Sequence, residues 1–181
     1  MADFTITVDD AEVQAKLSAF AERVDNPRAG LTAIGEGIVE RTKRRFETSK
    51  GPDGTPWKPN SVVTLALFSG HLAGQKSKVK KDGSLNAAGE QALANKKPLI
   101  GESRDLSRQL YIQVGDMTLT VTSTPVYAAI QQFGGQAGRG RKVTIPERPF
   151  LPIHKDGTLY PSDQADIIDE LNEYLLGDLA V

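Results

Sequence analysis

Residues 126–153 read VYAAIQQFGGQAGRGRKVTIPERPFLPI, and the rest of the chain is arranged around this stretch. Tyr127, Ile130 and Phe133 are spaced by three, so they share one face of a short apolar helix. Gly134 and Gly135 end that helix, because glycine accepts the left-handed backbone found just past a helix terminus. Residues 136–142 then place two arginines and a lysine among glycines, with Ala137 the single apolar side chain. Such a segment cannot bury itself, and residues 134–142 are expected to form a mobile loop that orders when a partner arrives. Val143 to Ile145 resume an extended pattern, which Pro146 and Pro149 confine to a sheet edge or a strand end. The stretch holds no catalytic pattern. It reads as a docking element, with Arg139, Arg141 and Lys142 as its contacts and Arg148, Pro149 and Phe150 bracing its base; Phe150 and Leu151 fit a core better than a contact surface.

Immediately upstream, residues 110–114 and 119–124 alternate apolar and polar side chains around Gly115-Asp116, the pattern of a β-hairpin, and Pro125 ends it. Before the hairpin, Pro98-Leu99-Ile100 leads through Ser103, a candidate helix cap, into a short turn at Leu106. Downstream, Pro161 opens a terminal helix whose Ile167, Ile168, Leu171, Leu175 and Leu176 form one stripe. At the other end of the chain, Phe4, Ile6 and Val8 alternate with threonines as in a half-buried strand. Asp9 or Asp10 then caps a helix bearing Val13, Leu17, Phe20 and Val24. Asn26-Pro27 breaks it, and a second helix runs to about Phe46 with Leu31, Ile34, Ile38 and Phe46 on its buried side. The basic residues Arg41, Lys43, Arg44 and Arg45 close that helix, where they complement its dipole or meet an acidic surface.

Residues 48–59 contain three prolines, two glycines and the only tryptophan, a rigid turn region in which Trp57 acts as a packing anchor or an interface residue. Residues 61–97 read as an excursion from the core, a long arm or hairpin. Within it Val62 to Phe68 is apolar, residues 85–94 have alanine-rich helical propensity, and Lys76, Lys78, Lys80 and Lys81 form a cluster. The elements sum to a single α+β domain over residues 1–181: a small, mostly antiparallel sheet of about four strands, helices packed on one face, and the excursion.

Composition removes several function classes. The chain has no cysteine, which excludes disulfides, thiol catalysis and thiolate metal sites, and its two histidines are far apart in sequence. The N-terminus carries neither a basic region nor a long apolar run, so no signal peptide is expected, and no stretch has the apolar length of a membrane span. No cofactor or metal is expected. The net charge of −1 conceals an asymmetry: from Asp156 onward there are seven acidic residues and no basic one. Opposite charge at the two ends suits head-to-tail contact between copies, whereas a solvated acidic helix is the plainer account.

The string YAAIQQFG, the arginine-bearing loop and IPERPFL together resemble the phage virion morphogenesis (tail-completion) family of Mu-like and related tailed phages. The resemblance extends to Pro52-Asp53-Gly54-Thr55-Pro56-Trp57 and to Pro98-Leu99-Ile100 with Leu106, so it covers most of the chain. Relatives often carry a histidine where Gln131 stands. The resemblance implies a structural virion protein at the head–tail junction, working as a ring of copies, often six, around the DNA channel. Its neighbours would be other neck and tail proteins, and it would reside in the host cytoplasm during assembly and in the virion afterwards. The interface residues expected are Trp57, Lys76, Lys78, Lys80, Lys81, Tyr127, Phe133, Arg139, Arg141, Lys142, Arg148 and Phe150. The alternative is a DNA-binding accessory protein that uses residues 41–45, 76–81 and 139–142. An enzyme is disfavoured, because the carboxylates fall in no metal or acid/base spacing and a glycine-rich phosphate loop after a strand is missing.

Overall fold

The structure is a computed structural model, and it describes residues 10–177. The expected strand over 3–8 lies outside those residues. The helices are α1 (Ala11–Asp25), α2 (Arg28–Thr48), α3 (Val62–Ala73), α4 (Ala87–Ala94), α5 (Asp105–Arg108), α6 (Ala128–Phe133) and α7 (Pro161–Leu176). The strands are β1 (Leu110–Val114), β2 (Leu119–Ser123), β3 (Gly135–Ala137) and β4 (Val143–Ile145). The class is α+β. In place of one small sheet, the described residues hold two separate antiparallel pairs, β1–β2 and β3–β4.

Helices α1, α3 and α4 begin at side-chain caps. Asp10 accepts from the backbone N–H groups of Glu12 at 2.9 Å and Val13 at 3.1 Å, Ser61 accepts from Thr64 N–H at 3.1 Å, and Asn86 accepts from Gly89 N–H at 3.0 Å. Pro161 occupies the first turn of α7, where its missing N–H costs nothing. Ser103 is not a cap: α5 starts after Arg104, which holds a left-handed backbone (φ 54°) and makes no side-chain cap.

Helix α2 is the axis of the molecule. On one side it lies against β1–β2, whose register pairs Ile112 with Val121. There Gly35 lets the hairpin approach so closely that a Cβ would sit 2.8 Å from Ile112 Cγ2. On another side it meets α7, and a Cβ on Gly30 would come within 2.5 Å of the Tyr174 ring. Ile34 and Ile38 fill the space between. Beyond the last turn of α2 lies the main core, Phe46, Trp57, Leu106, Ala128 and Phe150, with Leu99, Ile100 and Leu151 packed on it. The Phe46 ring meets Trp57 edge-on and Phe150 at a tilt, each with centroids 5.3 Å apart.

Two elements are placed differently from the reading of the sequence. The excursion is a compact set of helices, α3 and α4 joined by a single helical turn over Lys76–Lys78, rather than an extended arm. Its ends are tied by Asn60, whose side-chain amide donates to the Lys96 carbonyl at 2.9 Å. Helix α1 turns its Lys16, Ala19 and Arg23 side towards the body, leaving Val13, Leu17, Phe20 and Val24 exposed. Its end is anchored to α7 by Arg23, which donates to the Leu175 carbonyl.

Candidate functional site

Residues 126–153 fold into a helix, a β-hairpin and an irregular anchor segment in which Arg148 and Phe150 are buried. Gly134 makes the exit from α6: its φ is +68°, and an added Cβ would meet Glu147 N at 2.9 Å and Ile145 O at 3.1 Å. The chain then forms the β3–β4 hairpin, pairing Gly135 with Ile145, Gln136 with Thr144 and Ala137 with Val143. Of the segment expected as a loop, residues 135–137 pair as β3 with β4, and residues 138–142 form the tip, with a helical turn over Arg139–Arg141. Arg139, Arg141 and Lys142 are all exposed there, and among the described residues none of the three makes an ion pair or side-chain hydrogen bond.

The base of the hairpin is held by side chains that bind backbone. Gln132 is 3% exposed and uses its whole amide. Its Oε1 accepts from the Phe150 and Leu151 N–H groups, both at 2.9 Å, while its Nε2 donates to the carbonyls of Leu151 at 3.1 Å and Ile153 at 2.9 Å. Arg148 donates to the carbonyls of Lys58 at 2.7 Å and Pro59 at 2.8 Å, and Trp57 Nε1 donates to the Pro149 carbonyl at 2.8 Å. The Arg148 guanidinium has carbonyls for partners, and burial lowers its pKa from the ordinary value.

A third clamp comes from the two long helices. Arg45 Nη1 donates to the Phe150 carbonyl at 2.9 Å, and its Nη2 reaches Asp163 Oδ1 and Oδ2 at 2.5 and 2.6 Å. One turn earlier, Arg41 faces Asp163 at 3.6 Å and Asp166 at 3.4 Å and binds Glu170. Burial pulls the Arg41 pKa down, but the Glu170 hydrogen bond and the three carboxylates outweigh it and hold the group above its ordinary value. Much of the acidic character of α7 is therefore spent on the basic turns of α2 within one chain. The sequence reading offered a helix dipole, a nucleic-acid contact or an acidic partner surface for these arginines; the acidic surface exists, and it belongs to the same molecule.

The twelve residues expected at an interface separate into three groups. Trp57, Arg148 and Phe150 are buried, at 6%, 7% and 0% exposure, so they form the base and do not reach a partner. Tyr127 and Phe133 flank α6: Tyr127 is exposed, with its hydroxyl 3.5 Å from Asp105, and Phe133 is half-buried. Lys76, Lys78, Lys80 and Lys81 belong to the excursion, on elements separate from the hairpin, and Lys78 is half-buried with its ammonium 3.5 Å from the Ala88 carbonyl. Only Arg139, Arg141 and Lys142 form a free cationic cluster on the hairpin. Gln132, Arg45 and Asp163 were not singled out from sequence as linked, since their bonds span |i−j| of 18 to 118 residues and leave no local pattern. Among the described residues no three histidine or carboxylate side chains gather as a metal site, and no helix is long and apolar enough to cross a membrane.

Comparison with known proteins agrees with this arrangement of motifs. A protein of Haemophilus influenzae, the Mu-like prophage FluMu G protein 2, is 42% identical over 144 residues, covering 80% of this chain and 88% of its own. The putative capsid assembly protein G of Escherichia phage Mu is 25% identical over 157 residues, 86% of each chain. No solved structure matches the chain. The profile of the phage virion morphogenesis family matches residues 8–175, and the chain belongs to that family.

Proposed function

We propose that this chain is a structural, non-enzymatic protein of the phage head–tail junction, which completes the tail or joins it to the filled head as a ring of copies. The observation that carries this reading is the hairpin of residues 134–145. A cationic tip without a partner among the described residues stands on a base fixed by Gln132, Arg148 and Arg45. A rigid base with an unpaired, glycine-bearing tip suits ordered assembly, because loop freedom is given up only when a neighbour supplies buried surface. Exposed carboxylates of α7, Asp169 and Glu173, offer a complementary surface on a second copy. Neighbouring neck and tail proteins would bind the finished ring, and the protein would travel from host cytoplasm to virion.

The name of the phage Mu relative, a putative capsid assembly protein, keeps the head side of the junction within this proposal. The DNA-binding alternative loses part of its basis, since Arg41 and Arg45 are neutralised by α7. The deciding experiment is electron microscopy of a lysate from phage with an early stop codon in this gene. Separate DNA-filled heads and unattached tails are expected, and abnormal tail ends would narrow the role to tail completion. Intact, infectious virions would overturn the proposal.

A further inference from the structure

Between the excursion and the body lies an open cleft of about 770 Å³, within the size range of ligand sites in general. Its cations are Lys43, Lys96, Lys97, Arg104 and Arg108, set against the carboxylates Glu47 and Glu102. The five do different work. Lys97 donates to the Glu47 carbonyl at 2.5 Å, and Lys96 donates to the Ile100 carbonyl while its ammonium lies 4.6 Å above the Phe68 ring. These two lysines tie the excursion to the body and build the walls. Lys43, Arg104 and Arg108 are exposed and, among the described residues, make no ion pair or side-chain hydrogen bond. Arg104 also keeps a left-handed backbone (φ 54°), a conformation that non-glycine residues hold only where their surroundings impose it.

We propose that this cleft is a docking site for an acidic, amphipathic segment of a partner protein. Three cations from α2 and the α5 region line it, so a bound anion meets charge that no other described residue already satisfies. Ala92 and Ile100 add apolar surface for leucine-like side chains between the acidic ones. Nucleic acid fits less well. Lys96 covers Phe68 and His71 stacks beside it at 6.4 Å, so the cleft has no open ring on which bases could stack. The site is distinct from the hairpin and holds whether or not the chain works at the head–tail junction.

The test uses the full chain and two labelled probes: a short synthetic peptide with glutamate and leucine at helical spacing, and a short DNA duplex. Fluorescence anisotropy should give saturable binding of the peptide and weaker binding of the duplex at the same salt. The K43E/R104E/R108E variant should lose peptide affinity by about tenfold or more, with an unchanged melting temperature. The R139E/R141E/K142E variant, with equal charge change, should retain it. Equal loss in both variants would reduce the effect to net charge and overturn the site. So would tighter binding of the duplex than of the peptide, peptide binding indifferent to the cleft substitutions, or no binding of the peptide to the folded wild-type chain. Self-association abolished by the cleft variant alone would identify the occupant as a second copy's acidic helix and overturn the separate partner.

Discussion

Gln132 does what no other residue type can do at its position. A buried amide has two donor and two acceptor sites, and here it meets the N–H groups of Phe150 and Leu151 and the carbonyls of Leu151 and Ile153. Gln132→Ala leaves those four backbone groups without their partner in a place closed to water. The expected cost is about 3 kcal/mol, given a penalty of roughly 1–3 kcal/mol for a stranded buried group. Thermal denaturation should show the midpoint falling by about 6–12 °C for a chain of this length. A drop within the error of the scan would mean the anchor segment holds without it. The buried Arg45–Asp163 pair makes a second prediction with two parts. Asp163→Ala strands a guanidinium that is 9% exposed, and should cost about 3–5 kcal/mol. Arg45→Met combined with Asp163→Leu should recover much of that loss, since burying an ion pair is costly even when its geometry is good. If the double variant were no better than Asp163→Ala, the pair would contribute shape as well as charge.

At the scale of elements, the tight approach of α7 to α2 rests on a missing side chain. Gly30 lies under the Tyr174 ring, and Tyr174 in turn donates its hydroxyl to the Asn26 carbonyl at 2.6 Å, joining the α1–α2 turn to α7. Gly30→Ala gains about 1 kcal/mol of helix propensity. It also forces aside the Tyr174 ring, whose Cδ1 would lie 2.5 Å from the new Cβ, an overpacking cost of about 1–3 kcal/mol. The net expectation is destabilisation in a denaturant titration, with Gly30→Leu worse. Stabilisation by Gly30→Ala would mean that α7 can move out at no cost. The elements themselves were largely legible in the sequence. Periodicity placed α1, α2 and α7, alternation around Gly115-Asp116 gave β1–β2 nearly to the residue, and Gly134 marked the end of α6. Long-range side-chain-to-backbone bonds were not legible, because Gln132, Arg148 and Arg45 look like ordinary polar residues at their own positions. The orientation of α1 was missed for a related reason: its apolar stripe predicts a buried face, and the single chain turns the Lys16–Arg23 side inward instead.

At the scale of the whole molecule, a net charge of −1 is the residue of a large internal cancellation. Asp163, Asp166 and Glu170 are met by Arg41 and Arg45 inside the fold. Among the described residues, two of the patches left unpaired are far apart in the chain: cations at the hairpin tip, and the carboxylates Asp169 and Glu173 on the exposed side of α7. Two patches of opposite sign on different parts of one surface favour a heterologous contact, which closes into a ring when the rotation between copies allows it. If the proposed ring uses these patches, self-association of the full chain should weaken as salt rises, because exposed charges are screened beyond about 8–10 Å at moderate ionic strength. R139E/R141E/K142E should raise the dissociation constant by about tenfold or more in sedimentation velocity, while leaving the melting temperature near that of the unchanged chain. Adding D169K/E173K to that variant should restore association, since the contact is then the same pair with its signs exchanged. Restoration is the informative result: a loss without rescue follows from any damage to the hairpin, but recovery requires that tip and helix meet. If the sign-exchanged chain stays apart while the hairpin variant alone dissociates, the tip docks on a different surface of the neighbouring copy or on another virion protein, and α7 is released from the interface.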